Sequence, residues 1–297
     1  MGIHAFILHD GKITDANSPE FCAGQLGLLA GWGVFTTLRV AQGALFAWER
    51  HWARMSRDAR LMNVAMPPDA AEVEASLLRL IEANGQFDCT MRLVVVRNGG
   101  GMWEGPMAGG ASAASRASDV IAMTADSKPW GDSARLSVHP NGRFAAGEFA
   151  GAKINSWAQN LTWAERAQLE GFDETVLLNE RGQVAECTSA NIFAVLDGSV
   201  YTPPLGDGCL PGITREVLLS EINVEGVRIA ERSLGLEDLY RAEEVFITST
   251  TRDLLPVREI AGHALNRGSA VRDRVTGAFQ EFFYRDVARR RLVTASV

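Results

Sequence analysis

Val184-Ala185-Glu186-Cys187-Thr188-Ser189-Ala190-Asn191-Ile192-Phe193, together with Leu210-Pro211-Gly212-Ile213-Thr214-Arg215, decides how the chain folds. The first stretch falls in two short strand-like runs, 183–188 and 191–196, and Asn179-Glu180-Arg181-Gly182 joins the earlier one to a third run, 175–178, as a hairpin. Asp197-Gly198 makes another turn. The second stretch is a Pro-Gly turn leading into a helix predicted over 214–222. A further strand is expected over 244–248, and helices over 156–169 and 271–292.

Working outward, the N-terminal part opens with apolar runs 5–8 and 34–40, each beside a Gly-containing turn, Asp10-Gly11 and Gln42-Gly43. Residues 48–63 place Trp52, Met55, Ala59 and Met62 at helical spacing, and a second helix, 69–84, is capped by Asp69 and closed by Asn84-Gly85. Strands follow over 91–96 and near 120–126. The polar stretch Asp126-Ser127-Lys128-Pro129-Trp130-Gly131-Asp132 then breaks the pattern. We therefore expect an α+β protein of two domains: 1–126, a linker over 127–132, and a larger, strand-dense domain over 133–297. No internal repeat is visible, and the small-residue run 108–117 reads as a loop.

Composition limits the function. A chain of 297 residues, 46% hydrophobic and 22% charged, is that of an ordinary soluble globular protein. A net charge of -7 argues against a general nucleic-acid binder. Cys22, Cys89, Cys187 and Cys209 lie far apart without C-x-x-C pairs, so free buried thiols and a reducing compartment are expected. The start has no cationic leader before an apolar core, and no apolar run has the length of a membrane span, which makes the cytoplasm the default location. The five His and four Cys show no metal-ligand spacing. Gly99-Gly100-Gly101 lacks the order of a dinucleotide or P-loop, and no G-x-S-x-G elbow is present.

Lys153 is the only charged residue between Phe149 and Ala164. An amine among apolar neighbours loses part of its charge and becomes nucleophilic; taken alone, Lys153 also reads as a lysine snorkelling at a helix start. Gly212-Ile213-Thr214, at a helix N-terminus, offers backbone N–H groups and a hydroxyl to an anion, or is simply a helix start. Arg54, with His51 one turn earlier, is either an anion partner or an exposed cation on an amphipathic helix. Glu186 alone reads as a solvated strand residue, and Arg92 or Arg97 could pair with a carboxylate or form a surface salt bridge.

The order of these pieces is more specific than any of them. Gly31-Trp32-Gly33-Val34-Phe35-Thr36-Thr37, Lys153, Gly171-Phe172-Asp173-Glu174, the two opening stretches, then Glu244-Val245-Phe246-Ile247-Thr248-Ser249-Thr250-Thr251 and Leu255-Pro256-Val257 resemble, in that order over 31–257, the fold-type IV enzymes that use pyridoxal 5′-phosphate (PLP). These include branched-chain and D-amino acid aminotransferases and aminodeoxychorismate lyase. The resemblance implies a two-domain α+β fold with the cofactor at the domain interface. It implies that Lys153 forms the Schiff base, that Glu186 pairs with the pyridine nitrogen, and that Arg54, Gly212, Ile213, Thr214, Ser249 and Thr250 hold the phosphate. Phe35, Arg92, Arg97, Thr250 and Thr251 are the implied substrate contacts.

Three departures stand out: Gly-Trp-Gly where the family has G-D-G, Trp157 where branched-chain enzymes have a tyrosine, and Met102 where the lyase has an arginine. The intact Gly212-Ile213-Thr214-Arg215 and Thr248-Ser249-Thr250-Thr251 favour ping-pong transamination of an L-branched-chain amino acid with 2-oxoglutarate. The alternatives are lyase action on aminodeoxychorismate, D-amino acid or (R)-amine transamination, and a catalytically silent PLP-binding protein. A homodimer acting on small amino and 2-oxo acids is implied, with no nucleic-acid or membrane partner.

Overall fold

The computed structural model describes residues 2–18, 25–99, 117–265 and 268–294. The expectations for Cys22, Gly100, Gly101, Met102 and 108–116 lie outside the described residues. Two units are resolved: one of Met1–Lys128, Lys153–Trp157 and Asp286–Val297, the other of Pro129–Ala152 and Ala158–Arg285.

In the first unit, strands β1 (Ile3–His9), β2 (Lys12–Asp15), β3 (Gly33–Ala41), β4 (Ala44–Leu45), β5 (Cys89–Arg97) and β6 (Ser118–Ala125) form one sheet. Its order is β2-β1-β6-β5-β3-β4, antiparallel throughout. Helices α1 (Leu26–Ala30), α2 (Trp48–Leu61) and α3 (Ala70–Asn84) complete it. Along β5, Met91, Leu93 and Val95 are all buried, the period-two pattern of a strand with one face on a core. As the sequence predicts, Asp69 caps α3, accepting from the amides of Ala71 at 2.8 Å and Glu72 at 3.3 Å. Met55 and Ala59 of α2 join the core, with Trp52 and Met62 packed against it.

A second buried line on α2 was not expected. His51, Arg54 and Asp58 are all buried, so the reading of Arg54 as an exposed helix cation is excluded. Positions three and four apart share a helix face, and these three polar groups stack on one side.

The second unit holds β7 (Ala134–Arg143), α4 (Ala158–Leu169), β8 (Glu174–Asn179), β9 (Val184–Cys187), β10 (Asn191–Leu196) and β11 (Ser199–Thr202). It continues with α5 (Ile213–Ser220), β12 (Ile229–Glu231), α6 (Leu236–Arg241), β13 (Glu244–Ser249), β14 (Asp253–Ile260), β15 (His263–Ala264) and the start of α7 (Ala270–Thr294). The nine strands run β12-β11-β10-β13-β14-β7-β8-β9, with β15 on β14. β7 and β8 are parallel, with α4 between them in sequence. Every residue of β8 and β10 is buried, the polar Glu174, Thr175, Asn179 and Asn191 included.

The helix expected from 156 begins at Ala158, because Lys153–Trp157 belongs to the other unit. β14 was missed as a strand, since Pro256 interrupts its hydrogen-bonding pattern. Cys89, Cys187 and Cys209 are free and buried; burial pushes the Cys89 thiol up to about 11, that of Cys209 up to about 12, and that of Cys187 well above its ordinary value. Among the described residues no helix is long and apolar enough to cross a membrane.

Candidate functional site

Lys153 is fixed by its main chain. Its amide donates to Asp58 Oδ2 at 3.0 Å, and its carbonyl accepts from the Phe35 amide at 3.1 Å. Ile154 bridges to Val34, and the Asn155 amide donates to the Gly33 carbonyl at 2.9 Å, so the segment runs along the first residues of β3. Gly33 permits the approach: a Cβ there would lie 2.6 Å from the Val95 carbonyl oxygen and 2.7 Å from Asn155 Nδ2.

The Lys153 side chain enters an aromatic corner. Nζ lies 4.4 Å from the centroid of Phe35 and 5.4 Å from that of Trp157. The two rings meet edge to face at 5.7 Å. Arg92 covers the same Phe35 ring at 4.0 Å. This follows from register: Phe35 lies opposite Val94 on β5, so Arg92, two residues away, is its diagonal neighbour on that face. Among the described residues Arg92 has no carboxylate partner, and burial lowers its pKa.

Arg97, an odd number of residues further along β5, is not brought to Lys153. It donates to the carbonyls of Gly99 at 2.7 Å and Asn63 at 3.1 Å and lies 4.3 Å from the Trp32 centroid. Trp32, the departure in Gly-Trp-Gly, donates from Nε1 to the Met62 carbonyl at 2.7 Å.

Behind this corner, Arg54 Nη2 donates to Thr36 Oγ1 at 2.8 Å, and the same oxygen lies 2.6 Å from His51 Nδ1. Burial first, then the charges of Arg54, Lys153 and Arg290, hold the His51 pKa well below its ordinary value.

The second unit gathers another set. Glu186, on β9, accepts from Arg143 Nε at 2.9 Å on one oxygen and from the Leu210 amide at 3.1 Å on the other. Asn191 Nδ2 donates to the Leu210 carbonyl at 2.8 Å, and Asn191 sits opposite Thr248 in the β10–β13 ladder. The Leu210–Gly212 turn, Glu186 and the end of β13 are thereby neighbours, and Ser249, Thr250 and Thr251 continue from Thr248. Gly212 is the N-cap of α5 without a side-chain cap, and Ile213 and Thr214 lead the helix where amides lack intrahelical acceptors. The hydroxyls of Thr214 and Thr248 are buried with no hydrogen-bond partner among the described residues. Leading amides, a helix dipole and orphaned hydroxyls are the chemistry that a phosphate satisfies, so these residues fit the expected cofactor.

A Cβ on Gly212 would overlap Asn191 Oδ1. Gly212→Ala is expected to displace that turn, lowering the melting temperature by an amount equivalent to about 1–3 kcal/mol and releasing the cofactor on dialysis. Unchanged melting and retention in a thermal-shift and absorbance assay would contradict the cradle.

Asp58, Thr36, Arg143 and Asn191 were not singled out from the sequence. Asn191 stood within a quoted motif, but Arg143 reaches Glu186 across 43 positions and has no local signal. A further cluster, His9, Asp10 and Asp119, places potential ligand atoms within 4.8 Å of one another. Asp119 accepts there from Asn98 Nδ2 at 2.6 Å and Gln25 Nε2 at 2.9 Å.

Comparison with known proteins gives a consistent result. The family described as Amino-transferase class IV matches residues 33–260. A Methanocaldococcus jannaschii protein, provisionally named a branched-chain-amino-acid aminotransferase, is 30% identical over 260 residues, 86% of this chain and 88% of its own. The D-alanine aminotransferase of Bacillus licheniformis is 26% identical over 277 residues, 89% and 91% of the two chains. The solved structure of the branched-chain amino acid aminotransferase from Escherichia coli superposes with a TM-score of 0.83 at 25% identity, covering 94% of each chain.

Proposed function

Because the chain belongs to the class IV aminotransferase family, which is PLP-dependent, we propose that it exchanges amino groups between an L-branched-chain amino acid and 2-oxoglutarate, with Lys153 as the reactive amine. The observation that carries this reading is the corner itself: Lys153 Nζ 4.4 Å from the Phe35 centroid, and the Arg92 guanidinium 4.0 Å from the same centroid. It combines an amine, an apolar wall and an unpaired cation for a carboxylate. PLP, when bound, supplies the electron sink that lets an amino acid give up its α-proton and its amino group.

The residues divide the remaining work. Lys153 Nζ would hold the cofactor and, as a free amine, would take and return the substrate's proton. Its backbone bonds to Asp58 and Phe35 fix where that amine starts. Glu186, steadied by Arg143 and Leu210, offers its carboxylate to the ring nitrogen. Thr214, with the amides of Gly212 and Ile213, Ser249 and Thr250, is assigned to the phosphate, as is Arg54. Phe35 and Trp157 suit an apolar substrate side chain, and Arg92 is assigned to the second carboxylate of 2-oxoglutarate. Thr250 and Thr251 amides are assigned to the α-carboxylate, while Arg97 supports Trp32.

Relatives named for branched-chain substrates favour this class, and the D-alanine aminotransferase relative makes stereochemistry the point to test. The decisive experiment is a donor panel on the purified, PLP-loaded protein, scoring glutamate formed from Leu, Ile, Val and D-Ala with 2-oxoglutarate. The expected result is turnover of the three L-amino acids at least about tenfold above D-Ala. D-Ala turnover above all three, or pyruvate and 4-aminobenzoate release from aminodeoxychorismate without amino transfer, would refute the substrate assignment. We also assign a homodimer and a cytoplasmic location, consistent with the exposed Phe144 and Phe149 and the free thiols.

A further inference from the structure

Glu174 closes the Gly171-Phe172-Asp173-Glu174 motif, yet none of the roles above uses it. It begins β8, it is buried, and it gathers donors on both oxygens. Oε1 accepts from the Thr188 hydroxyl and from the Thr175 amide, the latter at 3.2 Å. Oε2 accepts from Ser189 Oγ at 2.5 Å and from Arg252 Nη2 at 3.1 Å. Thr188 and Ser189 lie in the connection between β9 and β10, while Arg252 lies in the three-residue loop between β13 and β14. One buried carboxylate therefore joins two connections of the second unit.

Arg252 is held on its edge and on its face. Nη1 donates to the Ser189 carbonyl at 3.0 Å, and Nη2 donates to Ser189 Oγ at 2.9 Å as well as to Glu174. The guanidinium carbon lies 3.7 Å from the centroid of Trp130. The Arg252 side chain is 5% exposed and that of Glu174 3%. A planar cation fixed by three hydrogen bonds and an aromatic face has little freedom to turn, so the main chain that carries it is fixed as well. Burying such a pair is costly, and an ordinary hairpin tip in water has no need of one.

What Arg252 anchors is the loop itself. Ser249 pairs with Asp253, the Arg252 amide donates to the Ser249 carbonyl at 3.2 Å, and Asp253 takes the left-handed φ of 53° that closes such a loop. Thr250 and Thr251 are the rest of that loop. Successive amides hold a carboxylate only while the loop that carries them keeps one shape.

We infer that the buried Arg252–Glu174 pair is a positioning device that sets the Thr250 and Thr251 amides for the substrate α-carboxylate; this rests on the assignment of those amides made above. Neither side chain needs to touch substrate. Its loss should be felt by ligands that carry a carboxylate and not by ligands that lack one, which separates positioning from a merely structural role.

The test uses the PLP-loaded protein and two fragments of leucine. One, 4-methylvalerate, keeps the carboxylate without the amine; the other, 3-methylbutylamine, keeps the amine without the carboxylate. The first is titrated by calorimetry and the second by the absorbance of the cofactor. Removing one partner would strand the other charge in the interior, so Arg252→Met and Glu174→Gln are combined. The double variant is expected to bind 4-methylvalerate about tenfold or more weakly and 3-methylbutylamine within about twofold of wild type. KM for L-leucine should rise in proportion while kcat changes by less than about threefold. If the double variant does not fold, Arg252→Lys, which keeps the charge but not the planar fork, should weaken 4-methylvalerate by at least about threefold with the amine again unaffected. Equal weakening of both fragments, or of neither, overturns the positioning role and leaves the transamination reading intact. A wild type with saturable binding of neither fragment overturns the branched-chain assignment and the positioning role with it.

Discussion

Lys153→Ala is expected to lower kcat/KM for transamination by at least roughly 10³-fold, since the variant loses both the covalent attachment and the proton carrier. The fold should survive. The contacts that fix this segment are the Lys153 amide to Asp58, the Lys153 carbonyl from Phe35, and the Asn155 amide to Gly33, and an alanine keeps all three. Circular dichroism and the melting temperature should therefore stay close to wild type while activity disappears. Phe35 and Trp157 each lose a cation–π partner, a small effect at a half-buried site. A variant that keeps more than about a tenth of wild-type turnover would remove Lys153 from the chemistry.

Glu186→Gln should reduce kcat by roughly 10²–10³-fold with a smaller change in KM, because an amide opposite the ring nitrogen weakens the electron sink in the transition state more than it weakens binding. The geometry adds a second consequence. Glu186 accepts on both oxygens, from Arg143 Nε and from the Leu210 amide, and a glutamine can present an oxygen to only one of them. The other donor is left facing an NH₂, which costs about 1–3 kcal/mol of stability. Steady-state kinetics and a thermal melt separate the two effects. Loss of stability without loss of kcat would make Glu186 a brace for the Leu210 turn and nothing more.

The parts of this fold that were legible in the sequence are those governed by neighbours along the chain. Asp69 and Gly85 bracket α3 because a cap and a left-handed terminator act within one turn; Gly85 has φ 62°. Strand β5 alternates because one face meets a core, and the strand-like runs of β8 and β10 are bounded by the turns 179–182 and Asp197-Gly198. The proposed cofactor set was drawn from the order of its motifs, and the structure adds how Asn191 and the Leu210 amide tie Glu186, the Gly212 turn and the end of β13 together.

What stayed hidden depends on distant pairing. A buried arginine looks like a surface arginine until its partners are known, and Arg54 is buried through Thr36 on another element. Arg92 and Arg97 are equivalent cations in sequence; strand register and parity put only Arg92 beside Phe35. Asp58 looks like a solvated helix residue, but it accepts the amide of a lysine 95 positions away. Pro256 broke the strand signal of β14, although β14 pairs with β13 and β7.

The chain contains three lysines, and Lys12 and Lys128 are exposed while Lys153 is half-buried against Phe35 and Trp157. This makes one measurement unusually direct: reduction of the PLP-loaded protein with borohydride, proteolysis, and mass mapping of the modified lysine. The account predicts a stoichiometric phosphopyridoxyl label on the peptide that carries Lys153 and none on the peptides of Lys12 and Lys128. A label on either of those two, or a loaded protein with no label at Lys153, would contradict it.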